Sequence, residues 1–92
     1  MVRKITEHAV NAFENGGKCS EGNMSVHDGM MYLHGNLIAK YNEMGRLEIS
    51  NCGWFSPTTK ERLNGLKGVS IEQKDFQWFL NGKLWDGSMI EV

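Results

Sequence analysis

Long apolar runs, cysteine, proline and an excess of either charge are all scarce in this sequence. No stretch approaches 18 consecutive apolar residues, so no helix is expected to span a membrane. Two cysteines, Cys19 and Cys52, could close one bridge at most. A secreted domain of this size more often carries about four to eight. The opening Met1-Val2-Arg3-Lys4-Ile5-Thr6-Glu7 turns polar at once without an apolar h-region, and the ending Met89-Ile90-Glu91-Val92 carries no lipidation box. Together these absences point to a reducing cytoplasm, with both thiols as buried or half-buried small hydrophobes. The 10 Lys+Arg against 11 Asp+Glu leave a net charge of −1. A whole-molecule DNA mimic needs a large negative excess and a general duplex binder a large positive one, so both are disfavoured. The 92 residues leave room for one domain, 1–92, and no second core.

What is present is patterned. Thr6 is a good N-cap for a short helix over about residues 6–15, with Ile5 and Val10 at the spacing of a hydrophobic staple. Ile5, Ala9, Ala12 and Phe13 form its apolar stripe, and Asn15-Gly16-Gly17 stops it. After a polar loop carrying Cys19 the period changes to two. Asp28-Gly29 is a type I′ hairpin signal that opposes Val26 with Met31 and Met24 with Leu33. Leu37–Tyr41 follows Gly35-Asn36, which is either a tight turn or a bulge in one longer strand; the apolar residues on both sides favour the bulge. Leu47 and Ile49 alternate inward in a strand over 46–50.

Ser56-Pro57 offers an N-cap with proline at the first helical position, and Thr58-x-x-Glu61 a capping box. Leu63 and Leu66 form the apolar edge of this second helix, with Lys60, Glu61, Arg62 and Asn64 pointing elsewhere. Val69–Glu72 reads as a strand, and Asn81-Gly82 as a hairpin turn opposing Leu80 with Lys83, Phe79 with Leu84 and Trp78 with Trp85. Tight turns imply antiparallel neighbours. The expected fold is α+β: a single antiparallel sheet of about five to six strands with two short helices on one face.

No enzyme signature survives. His8, Cys19, His27, His34 and Cys52 lack the close paired spacings of closed zinc sites. Neither thiol opens a helix or sits in a basic cluster. In the hairpin register His27 lies near the tip and His34 at the open end opposite Asn23, so the two imidazoles do not converge on one reacting atom. No phosphate-cradling glycine loop lies between a strand and a helix. No metal or cofactor is expected. Binding remains. Lys60, Arg62, Asn64, Lys67 and Lys74 cluster around the second helix and could meet backbone phosphates or an acidic groove, or be a solvated helix face. The aromatics Trp54, Phe55, Phe76, Trp78, Phe79 and Trp85 could stack bases, although core packing is the simpler use in so small a domain. Trp78 and Trp85 share one hairpin face and stay open as a binding face.

The block Gly53-Trp54-Phe55-Ser56-Pro57-Thr58-Thr59-Lys60-Glu61-Arg62-Leu63-Asn64-Gly65-Leu66, with Leu33–Ala39 before it and Trp78–Gly87 after it, resembles a family of small bacteriophage-encoded proteins. The likeness covers most of the chain. Its length and texture are similar to phage anti-CRISPR proteins of the type I-F class. That resemblance implies a non-catalytic, stoichiometric inhibitor acting in the host bacterial cytoplasm. Its partner would be the crRNA-guided type I-F surveillance complex, through protein subunits and exposed guide RNA, with target DNA kept from pairing. No membrane and no small-molecule substrate are expected as partners, and a monomer is favoured. Carboxylates such as Glu43, Glu48 and Glu72, or the Lys60, Arg62 and Lys67 patch, could supply the contacts. Two other readings stand beside it. One is an RNA- or single-strand-binding regulator using the second helix and the Trp78/Trp85 face. The other is a protein that degrades or traps a small defence signal in a pocket, at a dimer interface.

Overall fold

A computed structural model describes residues 3–92; Met1 and Val2, where the leader reading begins, lie outside the described residues. Helix α1 (Lys4–Glu14) is followed by strands β1 (Cys19–Glu21), β2 (Met24–His27), β3 (Met30–Leu33), β4 (Asn36–Tyr41) and β5 (Leu47–Ile49). Helix α2 (Pro57–Asn64) then leads to β6 (Ile71–Lys74), β7 (Gln77–Leu80), β8 (Lys83–Trp85) and β9 (Ile90–Glu91). The strands form a six-stranded antiparallel sheet in the order β1-β2-β3-β4-β5-β9 and a separate three-stranded sheet, β6-β7-β8. The fold is α+β, but the C-terminal hairpin builds its own sheet and does not extend the first. The helices divide accordingly: α1 packs on β1, β2 and β3, and α2 beside β6.

Both hairpins with a glycine signal have the expected register. Val26 opposes Met31 and Met24 opposes Leu33 around Asp28-Gly29; Trp78 opposes Trp85 and Phe79 opposes Leu84 around Asn81-Gly82. At Gly35-Asn36 the tight turn replaces the bulge. His34 (φ 52°) and Gly35 (φ 80°) make the turn, because a glycine at the second central position carries the positive φ of a type I′ turn freely. A bulge does exist, but at Ile38, where the register steps from Met31↔Ala39 to Tyr32↔Leu37. The extra residue lets the consecutive Ile38 and Ala39 both be buried. Cys19 lies in a strand and not a loop, and β9 adds an edge beyond β5.

Helix α1 begins three residues earlier than an N-cap at Thr6 predicts. Arg3 occupies the N-cap without a side-chain cap, and Thr6 is wholly buried inside the first turn. The missing cap comes from α2. Glu61 Oε2 accepts the Arg3 backbone N–H at 3.2 Å and Glu61 Oε1 accepts the Thr6 hydroxyl at 2.7 Å. A carboxylate at a helix N-terminus is favoured by the unpaired N–H groups and the helix dipole. Glu61 therefore serves α1, and the capping box within α2 does not form. The Ser56 cap does form, its Oγ accepting the Thr59 N–H at 3.2 Å.

Candidate binding surface

The second helix and the turn that follows it present Thr59, Arg62, Leu63 and Leu66 to the interior, each less than 4% exposed. These positions follow the i, i+3, i+4, i+7 stripe of a half-buried helix. Arg62 is therefore a core cation and not a surface one, which corrects its assignment to a binding patch. Its Nη1 donates to Thr6 Oγ1 at 3.1 Å and to Glu61, and its Nη2 to Asn23 Oδ1 at 3.2 Å. These bonds tie α2 to α1 and to the β1–β2 turn. The guanidinium suits the task because its planar fork reaches several acceptors at once. The Leu63 and Leu66 spacing already placed position 62 on the inward stripe, and that was the available signal.

The other proposed contact residues divide. Asn64 clamps the start of β6, its Nδ2 donating to Ile71 O at 3.1 Å and its Oδ1 accepting Ile71 N–H at 2.6 Å. Lys60 is half-buried with Nζ at 3.4 Å from Gln73 Oε1, while Lys67 and Lys74 are exposed. Trp78 and Trp85 lie in the core with ring centroids 6.2 Å apart, so they are not an open stacking face. Neither is available to stack a base, since Trp78 is 1% and Trp85 5% exposed. Cys52 departs from expectation in the opposite sense: it is exposed, with Sγ donating to Leu37 O at 2.8 Å.

The aromatics exposed instead come from two turns. After β5 the chain is pinned through Asn51, whose N–H donates to Gly87 O at 3.0 Å and whose Oδ1 accepts Gly53 N–H at 2.8 Å. Cys52 and Gly53 then take positive φ values of 54° and 83°, and the Trp54 N–H returns to Asn51 O at 2.9 Å. This turn points Trp54 and Phe55 outward, 60% and 51% exposed. The second turn joins β6 to β7 at Asp75 and Phe76. Both have positive φ, 53° and 65°, as do Asp28-Gly29, His34-Gly35 and Asn81-Gly82. Those three hairpins place glycine second; this one places phenylalanine there. Phe76 is 96% exposed, so it pays no part of its strain back through packing.

Phe55, Phe76 and Leu84 surround a groove of about 270 Å³ whose floor is Trp78 and Trp85. Phe55 stands edge-on to Trp78, with centroids 5.1 Å apart at 71°. Asp86 also lines the groove. Its Oδ1 accepts both the Ser88 N–H at 2.9 Å and the Ser88 hydroxyl at 2.6 Å, and these bonds hold the carboxyl below its ordinary range. The same residue positions the floor, since Trp85 Nε1 donates to Ser88 O at 2.9 Å. Sequence reasoning grouped Phe76 with the aromatics that could stack bases and favoured the core for them, because phenylalanine carries no turn signal and nothing marked its side chain as exposed.

Trp54 also walls a second cavity of about 410 Å³, floored by Leu33 and Ile38. Its one titratable lining residue is His34. No helix is long and apolar enough to cross a membrane, and no group of three or more His, Cys, Asp or Glu could hold a metal ion, among the described residues.

The chain matches the family described as Kyanoviridae Gp96 protein over residues 2–91. It belongs to that family. The resemblance to small phage-encoded proteins is thereby established at the level of a phage family. No curated protein and no solved structure matches the chain.

Proposed function

We propose that this phage protein is a non-catalytic protein-binding module that disables a host complex by occupying it. The observation that carries the reading is Phe76, a fully exposed aromatic held at positive φ on a hairpin tip, beside the exposed Phe55 and Leu84. Large exposed apolar side chains grouped on a rigid scaffold are the usual anchors of protein interfaces. The target suggested by the anti-CRISPR resemblance is the type I-F surveillance complex, with target DNA excluded from its guide.

The alternative, an RNA- or single-strand-binding regulator, keeps Lys60, Lys67 and Lys74 as reachable cations but has lost Arg62, Trp78 and Trp85 to the interior. Target-duplex binding by purified type I-F complex, with and without this protein, tests the reading. Duplex binding is expected to fall near stoichiometric addition and to recover when Phe76→Gly replaces the wild type. Unchanged duplex binding at large excess overturns this target. Salt-steep binding to free RNA would then favour the alternative.

A further inference from the structure

Deepening that reading, and resting on it, we infer that the Phe55–Phe76–Leu84 groove receives a cationic side chain, arginine above all, from a protein partner. Its walls are two aromatic rings and a leucine, its floor two indoles, and its one charged lining residue is Asp86. Aromatic faces and a carboxylate in one concavity match a guanidinium, which stacks on rings through its flat face and pairs with a carboxylate through its edge. Asp86 is oriented for this before any partner arrives, because Ser88 donates to its Oδ1 twice and leaves Oδ2 without a protein hydrogen bond among the described residues. A fixed acceptor loses less freedom on binding than a mobile one.

The turn and strands around the groove carry charges of both signs. Asp75 adjoins Phe76 in the turn, and Glu72 lies in register with Phe79 and Leu84 on the outward sheet face. Against these three carboxylates, Asp86 included, stand Lys74 beside the turn, Lys83 next to Leu84, and Lys60, whose Nζ lies 3.4 Å from Gln73 Oε1. Within the groove the one lining charge is that of Asp86, which disfavours a phosphate backbone and favours a basic side chain. Leu84 and the exposed Phe76 ring supply apolar contact for the aliphatic stem of the incoming side chain.

The experiment titrates isotopically labelled full-length protein with acetyl-Gly-Arg-Gly amide and, separately, with the citrulline peptide of the same shape and no charge. Nuclear magnetic resonance follows the backbone amides of Gln77, Leu84 and Asp86 and the Trp85 indole N–H. The arginine peptide is expected to give saturable shifts confined to these signals in the millimolar range, with citrulline about fivefold weaker or worse. Asp86→Asn, which preserves shape and removes charge, should reduce the arginine response to the citrulline level. Phe76→Gly, which relieves backbone strain, should abolish it in a protein that remains folded. Equal responses to the two peptides, responses unchanged in both variants, or no shift at about 20 mM overturn the inference. Failure here is separable from failure of the function. A protein that blocks the surveillance complex yet ignores the arginine peptide has the function without this site, and one that takes the peptide yet blocks nothing has the site with another target.

Discussion

Glu61 of α2 accepts the Thr6 hydroxyl of α1 at 2.7 Å, across 55 residues of sequence, and so caps a helix to which it does not belong. Burial by itself would push the Glu61 carboxyl up. It is outweighed by hydrogen bonds from Thr6, the Arg3 N–H and Arg62 and by the charge of Arg62, so its affinity for a proton lies below the ordinary carboxylate value. Because the folded form holds the carboxylate more tightly ionised than the unfolded chain does, its contribution is present at neutral pH. It disappears as pH falls through the ordinary carboxylate range toward the lowered folded value. Urea midpoints should therefore fall with acid in the wild type, and Glu61→Gln should be less stable at neutral pH with a shallower acid slope.

Arg62 makes the stronger demand on the same network. Arg62→Ala leaves Thr6, Glu61 and Asn23 without their shared donor, at a cost of about 2–3 kcal/mol, below the ~3–5 of a fully buried pair because Glu61 keeps some solvent. Denaturant unfolding at neutral pH measures this. A loss under about 0.5 kcal/mol, the usual range for a surface substitution, would mean that Arg62 is solvated.

Two aromatics two positions apart should behave oppositely. Trp78→Ala empties the centre of the core and should cost about 3–5 kcal/mol, while Phe76→Gly should stabilise by about 0.5–1 kcal/mol. The sign for Phe76 follows because relief of a left-handed backbone, about 1–2 kcal/mol, exceeds the added freedom of glycine in the unfolded chain. In a domain of this size the gain is read as a rise in Tm of about 2–8 °C.

Gly87 separates crowding from backbone strain. A Cβ there would meet Asn51 Oδ1 at 2.2 Å, at φ 89°. Gly29 has φ 74° with nothing within 4 Å of the same hypothetical atom. Gly29→Ala should then cost about 1 kcal/mol and Gly87→Ala about 2–4 kcal/mol, the excess coming from displacement of the Asn51 side chain. Thermal unfolding of the two variants side by side gives the difference.

Local chemistry was legible wherever a few adjacent residues decide the outcome. Asp28-Gly29 and Asn81-Gly82 carry type I′ turns and thereby set the strand registers, and Ser56-Pro57 starts a helix through its own hydroxyl and fixed φ. Each of these works within about four residues of chain. The strands β1 and β9 were not legible, being three and two residues long and mostly exposed, without an alternation to detect. At Gly35-Asn36 the same residues allow a turn or a bulge, and the pairing of β4 with β3 decided between them.

The candidate groove was legible only in its floor. The Asn81-Gly82 turn put Trp78 and Trp85 on one face, but a two-faced hairpin does not say which face meets the interior. Packing against the rest of the core settled that, burying the tryptophans and leaving Leu84 outside. The amino-acid sequence by itself determined α+β content, two glycine-turn hairpins, the start of α2 and near-neutral charge, because each rests on neighbours along the chain. Tertiary structure alone decided that the final hairpin forms its own sheet, that Arg62 points inward to hold Thr6, and that Phe55, Phe76 and Leu84 meet around Asp86. Those outcomes depend on contacts between distant segments, whose energies no local window of residues contains.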